Sequence, residues 1–568
     1  MKIPALKRLE QNAKRATEIF RVAAKYGFAD WFKDWHIAWI QERFRSFEGQ
    51  PIPDLKVEER VRLAFLELGP TFIKLGQMLG TRPDLVGPEM ANKLAHLQVA
   101  ARADAPEQVR ATIRAELGDE PERLFASFDE TPLASASIAQ AHRARLVTGE
   151  EVIVKVQHTG IEENILPDLD ILASLAELAE KHLSRLRPLQ PVALVHQFRR
   201  TLLRELDFTS ERGNLEEFAA NFSEDPTVHF PATYPELSSR RVLTMERLDG
   251  ILGTETAALG ASGVDLDEFA RRGANIYLQM IFRDAFYHAD PHPGNLMMLP
   301  DRVVGVIDCG MVGRLDRELS ADVEEMLLAV SSSNATDFAE VLLRVGSVPL
   351  EVPRDQFRAE MTDFLADYTR QSIEQLELGR ALNDLTAIIR RYSITLPPQL
   401  SLLLRTLVEL EGTAQKLNPR FSLAEIIRPF YAEIVRRRLS PRRIFDRVQR
   451  AYRGWERLAE SLPRDLTEVL QRVREGTFSV HLHHRNLDTV VNRLVLGVLA
   501  AALYVGSSLL WSMKASPLVD GTSIVGVGGF ILALCLTWRL LRAIKNSGDL
   551  TFNRHDAHGS RTSMRRGA

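Results

Sequence analysis

His288-Ala-Asp-Pro-His-Pro-Gly-Asn295, followed by Val306-Ile-Asp308-Cys-Gly310, is the stretch on which the reading of the fold turns. Asp290 and Asn295 have the Asp-x-x-x-x-Asn spacing of a kinase catalytic loop. Asp308 follows a segment that reads as a β-hairpin, with Leu296-Met-Met-Leu299 and Val303-Val-Gly-Val-Ile307 flanking Pro300-Asp301. Phosphoryl transfer needs cations to neutralise phosphate charge, carboxylates to hold those cations, and a group that positions the acceptor. In that geometry Asp290 orients or deprotonates the acceptor, while Asn295 and Asp308 offer the hard oxygens that magnesium favours. Gly310 is expected to permit the turn that aims the Asp308 carboxylate. A competing reading takes His288, Asp290 and His292 as a transition-metal cluster of a hydrolase.

Upstream, Val152, Val154 and Val156 alternate with Ile153, Lys155 and Gln157, a period-two strand. Val152-Ile-Val-Lys155 matches the kinase strand whose lysine holds the α and β phosphates. It lies shortly after a small-residue loop, Leu133-Ala-Ser-Ala-Ser137. Such a lysine needs a carboxylate from a following helix, and Glu205, Asp207 and Glu211 are the candidates. Asp207 and Glu211 are expected on one helical face at i, i+4. Arg241-Val-Leu-Thr-Met-Glu246 reads as another strand. Residues 1 to about 115 read as helical, with Val61, Phe65, Leu68, Phe72, Leu75 and Leu79 marking one amphipathic helix. From 264 onward the chain reads as helix-rich, apart from 295 to 310.

The 568 residues exceed what one core holds. The composition is 45% hydrophobic and 26% charged, that of a globular protein. Lys and Arg (72) nearly balance Asp and Glu (75), a net charge of −3 that argues against nucleic acid as a partner. Cys309 and Cys535 lie in contexts that make a disulfide unexpected. The N-terminus has no apolar h-region of a cleaved signal peptide. Leu494 to Met513 is an uncharged apolar run of bilayer length, and Ile524 to Trp538 is a shorter one continued through Arg539 into Leu540-Leu541. Lys514 to Ser523 joins them without net charge. Arg485 and Arg493 before the pair, and Arg539, Arg542 and Lys545 at its end, put both ends in the cytoplasm. The basic run Arg436-Arg-Arg438 with Arg442-Arg443 reads as a solvated helix face or as a contact with anionic headgroups.

These motifs, in this order, resemble the UbiB/AarF/ADCK family of atypical protein-kinase-like proteins. Lys74-Leu-Gly-Gln77 is similar to the family's Lys-x-Gly-Gln motif. Ala134-Ser-Ala-Ser137, extended by Ile138, Ala139, Gln140 and Ala141, resembles its alanine-rich nucleotide loop. Glu205-Leu-Asp207 resembles its Glu-x-Asp motif, and Leu396-Pro-Pro through Leu410-Glu-Gly412 its C-terminal lobe. The terminal apolar hairpin is similar to that of bacterial members. The resemblance implies an α+β, protein-kinase-like two-lobed fold. Its parts would be a helical N-terminal extension (1–115), an N-lobe (116–250), a C-lobe with helical extension (251–485), a transmembrane hairpin (490–545) and a polar, disordered tail (546–568).

The resemblance also implies an ATP- and Mg2+-using enzyme, an ATPase or unorthodox kinase, that supports ubiquinone biosynthesis at the bacterial inner membrane with its kinase-like domain in the cytoplasm. Its partners would be membrane lipids, quinone precursors and ubiquinone-biosynthesis enzymes. Lys155 becomes the phosphate-binding lysine paired with Glu211, and residues Leu133 to Ala141 border the nucleotide. Asp290 takes the catalytic position, and Asn295 and Asp308 the metal positions. Lys74, Gln77, Glu205 and Asp207 lie over the cleft, with Lys74 near Glu205. A cleft covered in this way argues against ordinary protein phosphorylation. Alanine and serine side chains also limit how closely backbone N–H groups wrap phosphates. Cys309 replaces the usual Phe of Asp-Phe-Gly and is expected to be buried and inert. Two other readings remain: a small-molecule kinase similar to aminoglycoside and choline phosphotransferases, and a nucleotide-binding pseudokinase scaffold.

Overall fold

A computed structural model describes residues 5–28, 55–95, 97, 103–182, 190–349, 352–369, 377–438, 487–519 and 522–545. Contacts divide the chain into two units, Met1–Ile444 and Phe445–Ala568.

The first unit mixes helices with β-sheets. Its N-terminal helices, Ala5–Lys25, Val57–Leu68, Pro70–Gly80 and Pro88–Ala95, precede the first strands. The apolar positions from Val61 to Leu79 therefore do not share one helix. Gly69, at φ 93°, breaks the run, and Pro70 starts the second helix at a position where its missing N–H costs nothing. The two pieces pack closely because Gly76 has no side chain. A Cβ there would lie 2.3 Å from Leu97 Cδ1 and 2.8 Å from Phe65 Cδ2.

The strand signals fall where the period-two pattern puts them. Strands β1 (Ser127–Phe128), β2 (Ala134–Ser135), β3 (Ala139–Arg145), β4 (Glu151–Gln157) and, later, β6 (Val242–Glu246) form an antiparallel sheet in the order β1-β3-β4-β6, with β2 also on β3. Val152, Val154 and Val156 share a core cluster with Val109 and Ile113 of helix Pro106–Leu117. The opposite face of β4 carries Ile153, which joins the large core, and Lys155. Alternation on one strand thus packs one face and arms the other.

Helices Ile161–His182, Pro191–Glu205 and Phe208–Asn221 follow β4. Between the last of these and helix Leu266–Phe282 lie β5 (Val228–His229), β6 and β7 (Ile251–Leu252). The expected hairpin is present as β9 (Leu296–Met298) paired antiparallel with β10 (Val304–Val306), and β5 and β7 complete that sheet. The sequence reading missed a short pair, β8 (Phe286–His288) with β11 (Val312–Arg314), which brackets the catalytic segments. Phe286, Tyr287 and His288 are all buried, so no alternation marks a strand. Helices from Arg317 to Arg438 complete the unit, with Leu385, Ile389, Leu400 and Leu403 in the same core as β8 to β10. Arg436 is exposed and Arg437 donates to the Phe282 carbonyl at 3.1 Å. Arg442 and Arg443 lie outside the described residues.

Among its described residues, the second unit contains two helices, Leu487–Ser512 and Ile524–Lys545, joined by a short strand pair. Their apolar windows, Leu494–Ser512 and Ile524–Arg542, are each 19 residues long and only 11% buried. The second helix runs past Trp538 and so reaches the spanning length that its apolar run alone lacked. Both helices are long and apolar enough to cross a membrane. They meet through small residues: the backbone of Gly526 approaches Trp511, and Ala500 and Ala533 are buried. The tail after 545 lies outside the described residues.

Candidate active site

Lys155 is the centre of the site. Its Nζ lies 2.6 Å from Glu211 Oε1 and 3.1 Å from Asp308 Oδ1. β4 presents the lysine, the first turn of helix Phe208–Asn221 presents Glu211, and the segment after β10 presents Asp308. Burial alone would lower the lysine's pKa, but the two carboxylates outweigh it and raise it. Lys155 holds the Asp308 pKa down to about 2. Glu211 is more deeply buried, and burial pushes its pKa up against the pull of the lysine. The Asp308 side chain stays 58% exposed, which leaves it open to a ligand.

Asp207 and Glu211 do not share a helical face. Asp207 is the N-cap of helix Phe208–Asn221, and its carboxylate accepts from the Thr209 N–H at 3.0 Å. Glu205 ends the preceding helix and forms an ion pair with Lys74 at 2.6 Å. The Lys74 pKa is lowered by burial and raised by Glu205, with further help from Asp308 and Asp290, for a net rise. Gln77 donates to the Leu97 carbonyl at 2.7 Å, a bond that ties its helix down instead of entering the cleft.

The segment from His288 to Asn295 is braced by its own backbone. Asn295 Nδ2 donates to Asp290 Oδ2 at 2.9 Å and to the Asp290 carbonyl at 3.1 Å. The Tyr277 hydroxyl donates to that carbonyl at 3.1 Å. His288, fully buried, accepts from the Asp290 N–H at Nδ1 (3.1 Å) and donates from Nε2 to the Asp308 carbonyl at 3.0 Å. One neutral ring therefore links the two aspartate segments, and burial holds its pKa low. The motif's histidine was legible in sequence, but this bracing role was not. The transition-metal reading fails on the same geometry. Both nitrogens of His288 are committed to backbone, and His292 Nδ1 accepts from the Gly294 N–H at 3.0 Å.

The turn that aims Asp308 is made by Asp308 itself, at φ 60°, while Gly310 is absent from the positive-φ residues. A non-glycine residue in that region is strained, and such strain clusters at functional sites. Cys309 is buried with its pKa raised by burial, as an inert thiol should be, and its carbonyl accepts from Asn214 at 3.0 Å. Leu133, Ala134 and Ala136 of the small-residue loop are exposed. Ser135, Ser137, Ala139 and Ala141 are half-buried, and Ile138 and Gln140 are buried.

The donor set fits magnesium with a nucleotide. Asn295 turns its amide nitrogen to Asp290, which leaves Oδ1 as a hard oxygen, and the exposed Asp308 carboxylate offers others. Magnesium is commonly held by one or two side chains plus phosphate oxygens.

Residues 96–342 match the ABC1 atypical kinase-like domain, 361–422 the UbiB helical domain and 481–545 the ABC1/UbiB kinase-like C-terminal domain. A "Probable protein kinase UbiB" of Aeromonas salmonicida (strain A449) is 34% identical over 469 residues, 81% of this chain and 86% of the relative. One of Vibrio vulnificus (strain CMCP6) is 31% identical over 544 residues, 93% and 99%. The chain belongs to the ABC1/UbiB atypical kinase family.

A solved structure, Rv3197 with erythromycin from Mycobacterium tuberculosis, is similar at 22% identity and a TM-score of 0.44, covering 64% of this chain and 92% of that one. The kinase-like domain of the ABC1/UbiB family implies nucleotide binding. The residues around Lys155 lie within its matched span, and Lys74 lies ahead of it.

Proposed function

We propose that this ABC1/UbiB member is a membrane-anchored ATPase or atypical kinase that binds ATP with Mg2+ and supports ubiquinone biosynthesis. It acts on or with lipid-soluble quinone precursors at the bacterial inner membrane, its kinase-like unit in the cytoplasm, and its partners are membrane lipids and the enzymes of that synthesis. The observation that carries the reading is Lys155 held between Glu211 and Asp308, at 2.6 and 3.1 Å. An ammonium fixed in this way offers a preorganised charge to phosphate oxygens, so no reorganisation is needed during transfer.

Bound magnesium would neutralise phosphate charge, held by Asn295 Oδ1 and the Asp308 carboxylate. Lys155 binds the α and β phosphates. Asp290 keeps one carboxylate oxygen on Asn295 and turns the other to the acceptor's proton. His288 and Tyr277 hold the Asp290 backbone so that its side chain does not swing. Residues Leu133 to Ala141 border the nucleotide.

The relatives' name says protein kinase; the departure from it is supported by Lys74. That lysine is paired with Glu205 at 2.6 Å and feels the charges of Asp308 and Asp290, which supports a reading in which the helix Pro70–Gly80 occupies space a peptide would need. The hairpin's exposed apolar residues, among them Leu494, Val498 and Leu532, support a site of action at a bilayer.

The test is ATP hydrolysis by full-length protein in nanodiscs, with and without a phenolic quinone precursor. Magnesium-dependent turnover is expected to rise with the precursor and to fall to background in Asp308→Asn. Normal ATP binding with no turnover above that variant would leave a nucleotide-binding scaffold in place of an enzyme.

A further inference from the structure

Asn214 takes no part in the chemistry above, yet it is bonded to the segment that carries Asp308. It lies on helix Phe208–Asn221, three residues after Glu211 and so on the same helical face. Its amide nitrogen donates to the Cys309 carbonyl at 3.0 Å. The residue next to that carbonyl is the one that needs holding. Asp308, at φ 60°, is in the left-handed region, which aspartate tolerates better than most side chains but still at a cost in strain. Such a backbone persists only where its surroundings fix the groups on either side.

Those groups are pinned on both sides of the turn. The Ile307 N–H donates to the Asn295 carbonyl at 3.0 Å, and the Met311 carbonyl accepts from the Ala289 N–H at 2.9 Å. The Asp308 carbonyl accepts from His288 Nε2 at 3.0 Å. All these bonds run to residues 288–295. Among the described residues, the Asn214 bond is the one that ties the backbone of 307–311 to the helix of Glu211. Apolar packing does not replace it. The Cys309 side chain shares a core cluster with Phe208, Leu215 and Phe218 of that helix, but such contacts are non-directional and do not aim a carbonyl. The Asp308 side chain needs the restraint as well. It shares the Lys155 ammonium with Glu211, at 3.1 and 2.6 Å, and two like charges on one partner repel. Gly310 also runs close to both acids: a Cβ there would lie 3.5 Å from Asp308 Oδ1 and 3.9 Å from Glu211 Oε2. Once the lysine engages phosphate, the backbone pins alone aim the Asp308 carboxylate.

We propose that Asn214 is a positioning residue for the metal. By holding the Cys309 carbonyl it keeps the Asp308 turn in the orientation that offers the carboxylate to Mg2+, and it makes metal binding depend on the seating of the helix that carries Glu211. The proposal rests on the reading of this site as one for ATP with Mg2+. In kinase-like sites the lysine–glutamate pair and the magnesium aspartate must both be in place. Here one helix secures both, Glu211 for the lysine and Asn214 for the backbone of the aspartate's turn.

Calorimetric titration of full-length protein in nanodiscs with ATP, once in EDTA and once in saturating Mg2+, tests the tie. Metal-free affinity reports Lys155 and the small-residue loop, and the increment that Mg2+ adds reports Asp308 and Asn295. In wild type the increment is expected to be about tenfold. Asn214→Ala should keep the metal-free affinity within about twofold and retain an increment of only about twofold. Asn214→Gln, which keeps an amide donor, should recover much of the difference, and Asp308→Asn should show no increment. If Asn214→Ala does not fold, Asn214→Ser, whose shorter side chain stops short of the carbonyl, takes its place. An increment in Asn214→Ala equal to that of wild type overturns the proposal. So does an equal loss of affinity with and without the metal, which is the mark of a merely structural role. Wild-type protein that binds ATP no better with Mg2+, or binds none, overturns the metal reading of the site itself, and the proposal falls with it.

Discussion

Replacing Lys155 with Met isolates what the central lysine does for the fold. Methionine fills the stem's volume but leaves Glu211 without its partner at 2.6 Å. The Glu211 side chain is 10% exposed and that of Lys155 18%, so the pair is largely desolvated. Breaking a buried pair at one end costs about 3–5 kcal/mol. Two escapes favour the lower figure here. Asp308 is 58% exposed and returns to solvent at little cost, and Glu211 can take up a proton because burial already pushes its pKa upward. We expect a loss of about 3 kcal/mol at pH ~8, or roughly 6 °C in the melting midpoint at about 2 °C per kcal/mol for a unit of this size.

The sign with pH follows. In Lys155→Met the folded pKa of Glu211 lies above its unfolded value of about 4.3, so the folded protein binds the extra proton and the deficit shrinks as pH falls through the folded pKa. Near pH ~5 the loss should be about half. Thermal unfolding of the detergent-solubilised chain, followed by near-UV circular dichroism, measures both values. The double variant Lys155→Met/Glu211→Leu should recover most of the loss. A deficit below about 0.5 kcal/mol at both pH values, or one that grows on acidification, would falsify the account of Glu211 as a buried carboxylate dependent on this lysine.

Other expectations concern the same frame. In the wild type, Asp308 has a depressed pKa, so its contribution to stability is present above about pH 4 and is lost as pH falls toward about 2. Lys155 has a raised one, so its contribution is complete below about pH 10 and is lost only above that; between those limits Asp308 and Lys155 leave a urea-midpoint profile flat, and the raised pKa of Glu211 makes the cluster's stability fall as pH rises through it. Gly76→Ala should cost about 1–3 kcal/mol, read from the urea midpoint, because the new methyl meets Leu97 and Phe65 within 3 Å and overpacks the junction of the two N-terminal helices. Leu532→Arg places a charge on a 53%-exposed apolar face of the second terminal helix. An insertion penalty of about 2.5–3.5 kcal/mol should shift the chain from the membrane to the soluble fraction on sedimentation.

Much of the site was legible because its chemistry is written in short, contiguous spacings. Asp290 and Asn295 are near enough in sequence that one turn joins them, and the β9–β10 hairpin brings Asp308 back beside them. The Lys155 strand announced itself by its valines. What failed was whatever depended on backbone angles. Helical periodicity joined Val61 to Leu79 because Phe65, Leu68, Phe72 and Leu75 keep the step across Gly69, although the φ of 93° there ends the first helix. The same blindness put Asp207 and Glu211 on one face when Asp207 caps the helix that Glu211 begins. The turn at Asp308 was assigned to Gly310 because glycine is the cheap residue at positive φ, whereas the aspartate bears the strain itself. The bracing by His288 depends on two backbone groups distant in sequence, and no spacing rule signals that.

The misreading of 205 to 211 also explains why the segment works. A single helix through these residues would have to serve both lysines from one continuous surface. Instead, the helix Pro191–Glu205 stops, Leu206 is fully buried, and Asp207 restarts the chain in a new direction. Glu205 then faces Lys74 on helix Pro70–Gly80, while Glu211 faces Lys155 on the sheet, each at 2.6 Å. Leu206 is anchored twice, its side chain in the cluster with Phe72 and Leu75 and its carbonyl accepting from Gln157 of the Lys155 strand at 2.9 Å. The helix Pro70–Gly80 and the strand of Lys155 are thus held by one short break between helices. A displacement of Lys74 must either break the pair with Glu205 or pull on the residues that set Glu211. The positions of Lys74 and Lys155 are therefore coupled through backbone and not only through charge.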